Sequence, residues 1–410
     1  MSTPQPFIDS LTFFAKKRPS DCEKGFDIVI GNPPYNEIRD LPVRLQKHYS
    51  LSEYYKYAQG GRINMFQFFY PLGVDIVNNN GIVSLITQNS LLAEDSAIRN
   101  RELIFEQTEI LHITSFPERD DKHKRVFESA KMSVCIALLK KSKSNAKTPF
   151  KVTVWEDKYM STGKDLLISK DDIIRIFGDD LTIPICSQTQ LDLLCRIKEY
   201  GSFDSLISYS GEIDMTKYKP FFHDIKSNND YRLITGAQIQ RYYLSDNPSQ
   251  GGVKYLKGDD IRINEQRWLF VNSERIVLQR ITGVDSRIRI IATLIPPGMV
   301  CANSTNYLAH SKQPLLCILG CLNSKLINWF FKLTSTNTNV TSKELSKLPI
   351  PLLPDHLQNE IASLTSAIIS SKRNDNHSDT TNTERAIDCI LYSAFGLSEK
   401  DIELIESIYR

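Results

Sequence analysis

Through the first 140 positions the chain alternates between two apolar rhythms. Short runs rich in β-branched residues, Phe26-Asp27-Ile28-Val29-Ile30-Gly31 and Ile82-Val83-Ser84-Leu85-Ile86, have the length of buried strands, as do 110–116 and 132–139. Between the first two, Met65, Phe68, Phe69, Leu72 and Ile76 fall at helical spacing over 64–77, and a second helix is predicted over 96–108. Asn78-Asn79-Asn80-Gly81 reads as a turn, and Val126-Phe127 as one arm of a hairpin with the fourth strand. The polar, tyrosine-rich stretch 41–61 reads as a mobile loop. Strands alternating with helices predict an α/β sheet.

Beyond 140 the rhythm changes. KKSKSNAKTP at 140–149 marks a first boundary, 151–200 reads as a linker region, and an amphipathic helix falls over 188–200. From 201 to 355 short strands and turns predominate, with a helical run at 315–333. Leu348-Pro349-Ile350-Pro351 is extended, because proline fixes its own φ and restricts the residue before it. Helix is predicted over 356–370, disorder over the polar 371–384 and two helices over 385–409, so that 356–410 forms a C-terminal helical region. No internal repeat is visible.

Composition narrows the function classes. Apolar residues make up 41% of 410 positions and the net charge is only +2, so a nucleic-acid surface must come from local clustering of charge. No run approaches about 18 uninterrupted apolar residues, so no membrane span is expected. Eight scattered cysteines, Cys22, Cys135, Cys186, Cys195, Cys301, Cys317, Cys321 and Cys389, form no Cys-x-x-Cys pair and no metal site. A reducing, cytoplasmic setting is expected.

The chemistry concentrates at Asn32-Pro33-Pro34-Tyr35, directly after the first apolar strand. An amine conjugated to a heteroaromatic ring is a poor nucleophile, because its lone pair is delocalised. Two acceptors on its N–H groups draw the nitrogen toward a tetrahedral, reactive state. The Asn32 side-chain oxygen and the Pro33 carbonyl can supply them, Pro34 stiffens the turn, and Tyr35 can stack on the ring. Such a site works by positioning and electrostatics. The plain alternative is a proline-rich turn after a strand.

FDIVIGNPPYNEIR closely resembles the motif of amino-methylating DNA methyltransferases, and Asn64 with its helix, 81–103 and 125–141 resemble the segments that follow it. The order is that of TaqI-like, gamma-class adenine-N6 methyltransferases and type IIG restriction-modification enzymes. The resemblance implies a partial Rossmann-like methyltransferase sheet in 1–150, an α+β target-recognition domain in 201–355, and S-adenosylmethionine as methyl donor. It implies that Phe127 and Tyr35 sandwich an extruded adenine and that Asn64 has a cofactor-pocket role, with helix capping as the alternative. The family's glycine-rich cofactor turn is absent: besides Gly31, only Gly25 precedes Asn32. The expectation is therefore a separate N-terminal methyltransferase polypeptide that completes the fold, with the isolated chain catalytically silent; a truncated relic is the other possibility.

Double-stranded DNA is the expected partner. Arg262, Arg267, Arg275, Arg280, Arg287 and Arg289, interleaved with Trp268 and Phe270, are candidates for phosphate contact and guanine reading, as is Arg241 with Gln238 and Gln240. ITGAQIQRYYL and 315–354 resemble the recognition domain of the same family. Pro117-Glu118-Arg119-Asp120-Asp121-Lys122 lacks the spacing and strand of a nuclease site and reads as a solvated loop. The alternatives are a non-catalytic DNA-recognition (specificity) module, and methylation of an RNA or protein amine.

Overall fold

The computed structural model describes residues 25–58, 62–142, 146–201, 203–248, 250–283, 287–335 and 339–409. Cys22 lies outside them. The chain divides into two compact units, Met1–Gln188 and Thr189–Arg410.

The first unit is an α/β sheet of six strands: β1 (Phe26–Gly31), β2 (Val77–Gln88), β3 (Glu109–Phe116), β4 (Val134–Lys140), β5 (Phe150–Trp155) and β6 (Gly163–Ile168). Their spatial order is β1-β2-β4-β3-β5-β6. β1 runs parallel to β2, with Gly31 opposite Leu85, and β4 is antiparallel to both β2 and β3. Alternation along β2 sorts the faces. Val83, Leu85 and Thr87 are buried, whereas Ser84, Ile86 and Gln88 are only half-buried. The helix α1 (Phe69–Ile76) approaches this sheet through Gly73, where a Cβ would lie 3.1 Å from Val83 Cγ1 and 3.7 Å from Val29 Cγ1. No strand among the described residues lies outside β1, whose Ile28 and Ile30 are 65% and 80% exposed.

Several expectations change here. The stretch 41–61 holds a helix, Val43–Ser50, and a helical turn, Glu53–Tyr57. Its tyrosines act as apolar bodies with polar tips: Tyr49 packs edge-on to Phe68 at 4.9 Å, and Tyr54 donates to Asp75 at 3.0 Å. Asn80, at φ 65°, bulges within one continuous β2, so Asn78–Gly81 does not end the strand. Residues 151–200 are not a linker. β5 and β6 extend the sheet, Lys170–Phe177 forms a helix, and the unit boundary falls at 188. Val126 and Phe127 lie in a loop, not a strand.

The second unit packs a four-stranded sheet and a three-stranded sheet with helices. The strands of the former are Ile207–Ser210, Arg275–Gln279, Ala292–Ile295 and Thr305–His310, and those of the latter Asp230–Ile234, Lys254–Lys257 and Met299–Cys301. Leu315–Asn323 and Lys325–Thr334 are two helices bent 61° at Ser324, buried along most of their length. No single helix among the described residues is long and apolar enough to cross a membrane. The helix Asp355–Asn374 enters the segment expected to be disordered, and the next begins within it at Thr381. Local bonds order the connection: Lys372 Nζ donates to the Ser378 carbonyl at 2.7 Å, and Thr380 Oγ1 to Glu384 at 2.7 Å.

Candidate functional site

The turn after β1 places Asn32 exposed, Pro33 buried, and Pro34 and Tyr35 half-buried. The Tyr35 hydroxyl lies 2.6 Å from Asn32 Oδ1 and 2.9 Å from the Ile86 carbonyl. Burial, with Cys135 adding to it, pushes the Tyr35 phenol up to about 12, so it keeps its proton. Among the described residues no group donates to the Pro33 carbonyl.

A buried amide network holds the turn from behind. Asn64 Nδ2 donates to the Tyr35 carbonyl at 2.7 Å and to Gln88 Oε1 at 3.3 Å. Asn64 Oδ1 accepts from the Phe66 amide, and Gln67 Oε1 accepts from the Asn64 amide at 3.0 Å, which forms a capping box. Gln67 Nε2 in turn donates to the Ser96 carbonyl at 2.6 Å. The Asn64 carboxamide thus caps a helical turn and grips the base of the Tyr35 turn.

Phe127 reaches the site from the loop between β3 and β4. Its ring centroid lies 6.0 Å from that of Tyr35, with the planes 52° apart. The loop is fastened on two sides. Arg125 donates to the carbonyls of Arg119 and Glu128, at 3.1 and 2.6 Å. Lys158, between β5 and β6, pairs with Glu128 and donates its amide to the Lys124 carbonyl at 2.7 Å. The structure therefore brings Asn64 and Phe127, distant in sequence, to the contiguous turn Asn32, Pro33, Pro34 and Tyr35. It adds Ile86, Gln67 and Gln88. Ile86 takes part through its carbonyl, which no side-chain pattern could signal.

The arginine candidates separate by burial. Arg275 and Arg289 are 2% and 0% exposed and are corrected to core residues. Arg275 pairs with Glu212 and lies 4.3 Å over the Tyr307 ring. Arg289 is enclosed by Thr282, Ser335 and the ring of Phe331. A guanidinium committed in this way has no path to a phosphate. Half-buried Arg241 is held by Glu384 and the Asn323 carbonyl, and Gln238 is fully buried in a capping box. Arg262 and Arg287 are exposed, and Arg267 and Arg280 half-buried; all four rest on backbone carbonyls. Nearby, a concavity of about 890 Å³ mixes Lys372 and Arg373 with Asp246 and Asp375, which cancels its charge.

Among the described residues no His, Cys, Asp or Glu group could hold a metal ion. Nor do they build a complete cradle for S-adenosylmethionine. The polar atoms of Asn64 are bonded within the chain, and among the described residues a strand flanks the crevice beside Asn32 on the β2 side only.

Residues 5–127 match the Eco57I restriction-modification methylase family, and residues 231–350 the TaqI-like C-terminal specificity domain. A Methanocaldococcus jannaschii protein, described as a putative type II restriction enzyme and methyltransferase, is 24% identical over 91% of this chain and 31% of its own length. The Bacillus subtilis type II methyltransferase M.BsuBI is 21% identical over 80% of the chain and 65% of its own length. The chain thus spans less than two thirds of each of these relatives. The fold is similar to that of the type IIL restriction-modification enzyme MmeI, solved in complex with DNA, with TM-score 0.57 and 11% identity, over 93% of this chain and 57% of that one. A match to a restriction-modification methylase in the first unit is thus followed by a match to a TaqI-like specificity domain in the second, the arrangement that makes the chain similar to TaqI-like restriction-modification methyltransferases.

Proposed function

We propose that this chain is the base-holding and DNA-recognising portion of a site-specific adenine-N6 DNA methyltransferase. One observation carries the reading: Asn32 Oδ1, just after β1, lies against Tyr35 of the aromatic pair Tyr35 and Phe127, and the carbonyl of the next residue, Pro33, is the second acceptor in this proposal. An adenine extruded from duplex DNA enters between the rings. Its amine donates one N–H to each acceptor, which localises the lone pair on nitrogen. The rings and the stiff turn hold that nitrogen in line for methylation, and water is kept from the buried Pro33 side. S-adenosylmethionine supplies the methyl group when bound.

The cofactor site belongs, in this proposal, to a complementing methyltransferase polypeptide that adds a strand along β1. The exposure of Ile28 and Ile30, on a strand whose outer side carries no further strand among the described residues, supports this. Sheets with parallel strands are ordinarily covered on both faces, and a bare apolar edge invites pairing. A ligand crevice forms at the carboxyl end of a strand where the strand order reverses, which is the end that carries Asn32.

The test is methyl transfer from labelled S-adenosylmethionine to unmethylated duplex DNA, with nucleosides identified by mass spectrometry. The chain is assayed alone and with the S-adenosylmethionine-binding N-terminal portion of a type II methyltransferase relative added in trans. N6-methyladenine appearing only with both, and lost in Asn32→Ala, is expected. N4-methylcytosine, or methylated RNA or protein, overturns the adenine assignment. Tight DNA binding without transfer under any pairing leaves a non-catalytic specificity module instead. Calorimetric binding of S-adenosylmethionine by the chain alone overturns the divided cofactor site.

A further inference from the structure

We infer that the Tyr35 hydroxyl is a positioning group for Asn32, sharing its proton between the Asn32 side-chain oxygen and the Ile86 carbonyl, so that a shift to Ile86 releases the Asn32 oxygen for the incoming amine. This rests on the amine-binding reading of the turn. The geometry is specific. A phenol has one proton, and two carbonyl-type oxygens lie within its reach, at 2.6 and 2.9 Å. Both cannot be fully satisfied at once. When the proton points to Asn32, it takes one of the two lone pairs of that oxygen and turns the carboxamide toward Tyr35. When it points to Ile86, the phenol oxygen becomes an acceptor and can hold the Asn32 amide nitrogen, leaving Oδ1 outward.

A carboxamide is nearly symmetric in shape, and its orientation decides whether it attracts or repels an amine N–H. Asn32 is exposed, so packing does not fix its orientation. Everything else in the turn is fixed. Pro33 and Pro34 lock their own φ angles. The Tyr35 carbonyl is gripped by Asn64, which Gln67 secures to the Ser96 carbonyl. The Tyr35 backbone therefore stays in place while its proton chooses between two acceptors on either side of the turn. Ile86 ends up part of the site through its main chain, supplied by β2, the neighbour of β1.

Tyr35→Phe keeps the stacking ring and removes only the proton. In chain labelled selectively with 15N-asparagine, the Asn32 side-chain NH2 resonances are expected to shift and broaden in this variant. In the enzyme that transfers methyl groups, kcat is expected to fall about tenfold while the DNA dissociation constant stays within twofold. A purely structural role for the hydroxyl would move melting temperature and leave the Asn32 resonances as in wild type. Unmoved Asn32 resonances together with wild-type kcat overturn the inference. If the wild-type protein transfers no methyl group at all, the function proposed above has failed, and the resonance comparison alone decides the role of Tyr35.

Discussion

Replacing Phe127 by alanine tests the base-holding site most directly. A base held between two parallel rings keeps them about 7 Å apart, twice the van der Waals spacing of about 3.5 Å. In the free protein the two centroids are 6.0 Å apart and the planes are tilted by 52°. Entry of a base therefore widens the pair by about 1 Å and turns the rings parallel. The alanine variant keeps the Tyr35 face and loses the other. One base–aromatic face is worth about 1–3 kcal/mol, so affinity for an extruded base falls by about 5- to 150-fold. The loop itself survives, because Arg125 and Lys158 hold it through main-chain contacts that do not involve the ring. The assay uses a duplex containing the recognised site, mapped by sequencing methylated DNA, with 2-aminopurine at the target position. Wild type should bind with a fluorescence rise that marks extrusion, Phe127→Ala with a smaller rise and weaker binding, and Phe127→Trp like wild type. An alanine variant with unchanged affinity and signal, beside a Tyr35→Ala variant that loses both, would show that Phe127 is a loop-packing residue and the base rests on one ring.

Four other expectations concern stability and DNA contact. Glu212→Gln strands the buried Arg275 guanidinium and should cost about 3–5 kcal/mol, whereas Glu212→Gln with Arg275→Met should recover much of it; urea midpoints followed by tryptophan fluorescence separate the two, and additive losses would refute the pairing. Burial raises the Asp388 carboxyl from 3.8 to about 6, so folding stability should decline as pH rises from about 4 to about 6, and Asp388→Asn should flatten that decline; a variant that keeps the same pH slope contradicts it. Gly320→Ala would set a Cβ 2.6 Å from Thr365 Oγ1 and 2.7 Å from Ile361 Cγ2, an overpacking of about 1–3 kcal/mol, visible as a lower melting temperature. DNA affinity should fall steeply with salt, and Arg262→Ala and Arg287→Ala should each reduce the logarithmic slope by about 1; slopes equal to wild type would remove both from the interface.

Much of the first unit was legible from sequence because its strands are continuous apolar runs and its reactive turn is four adjacent residues. Asn32 to Tyr35 follow a strand as the pattern implies, and the ring of Phe127 comes from 92 positions beyond Tyr35 to lie beside it. What sequence could not separate was an arginine that reads DNA from one that closes a core. Arg275 and Arg289 sit among Ile and Val in a pattern equally suited to either, and only the position of Glu212, 63 residues away, explains Arg275. The tyrosines of 41–61 looked polar by composition, yet burial depends on where each ring points. The segment 371–384 lacks apolar residues, but short local bonds, from Lys372 to the Ser378 carbonyl and from the Thr380 hydroxyl to the Glu384 carboxylate, order it without a core. Asn64 shows the same limit: the resemblance implied a cofactor-pocket role and its place before a helix a cap, and its three hydrogen-bonding groups all turn inward to the chain.

The reach of β5 and β6 into the first sheet has a practical meaning for chimeras. Exchanging specificity domains between relatives is a natural way to redirect such enzymes, and the compositional break at 140–149 looks like the place to cut. A junction there would sever Lys158 from Glu128 and from the Lys124 carbonyl, and would leave β3 without its parallel neighbour β5. The loop bearing Phe127 would lose half its moorings, and a hybrid would be judged unable to bind its new sequence when the fault lay in the transplanted seam. Grafts joined after 188 carry the whole scaffold with them.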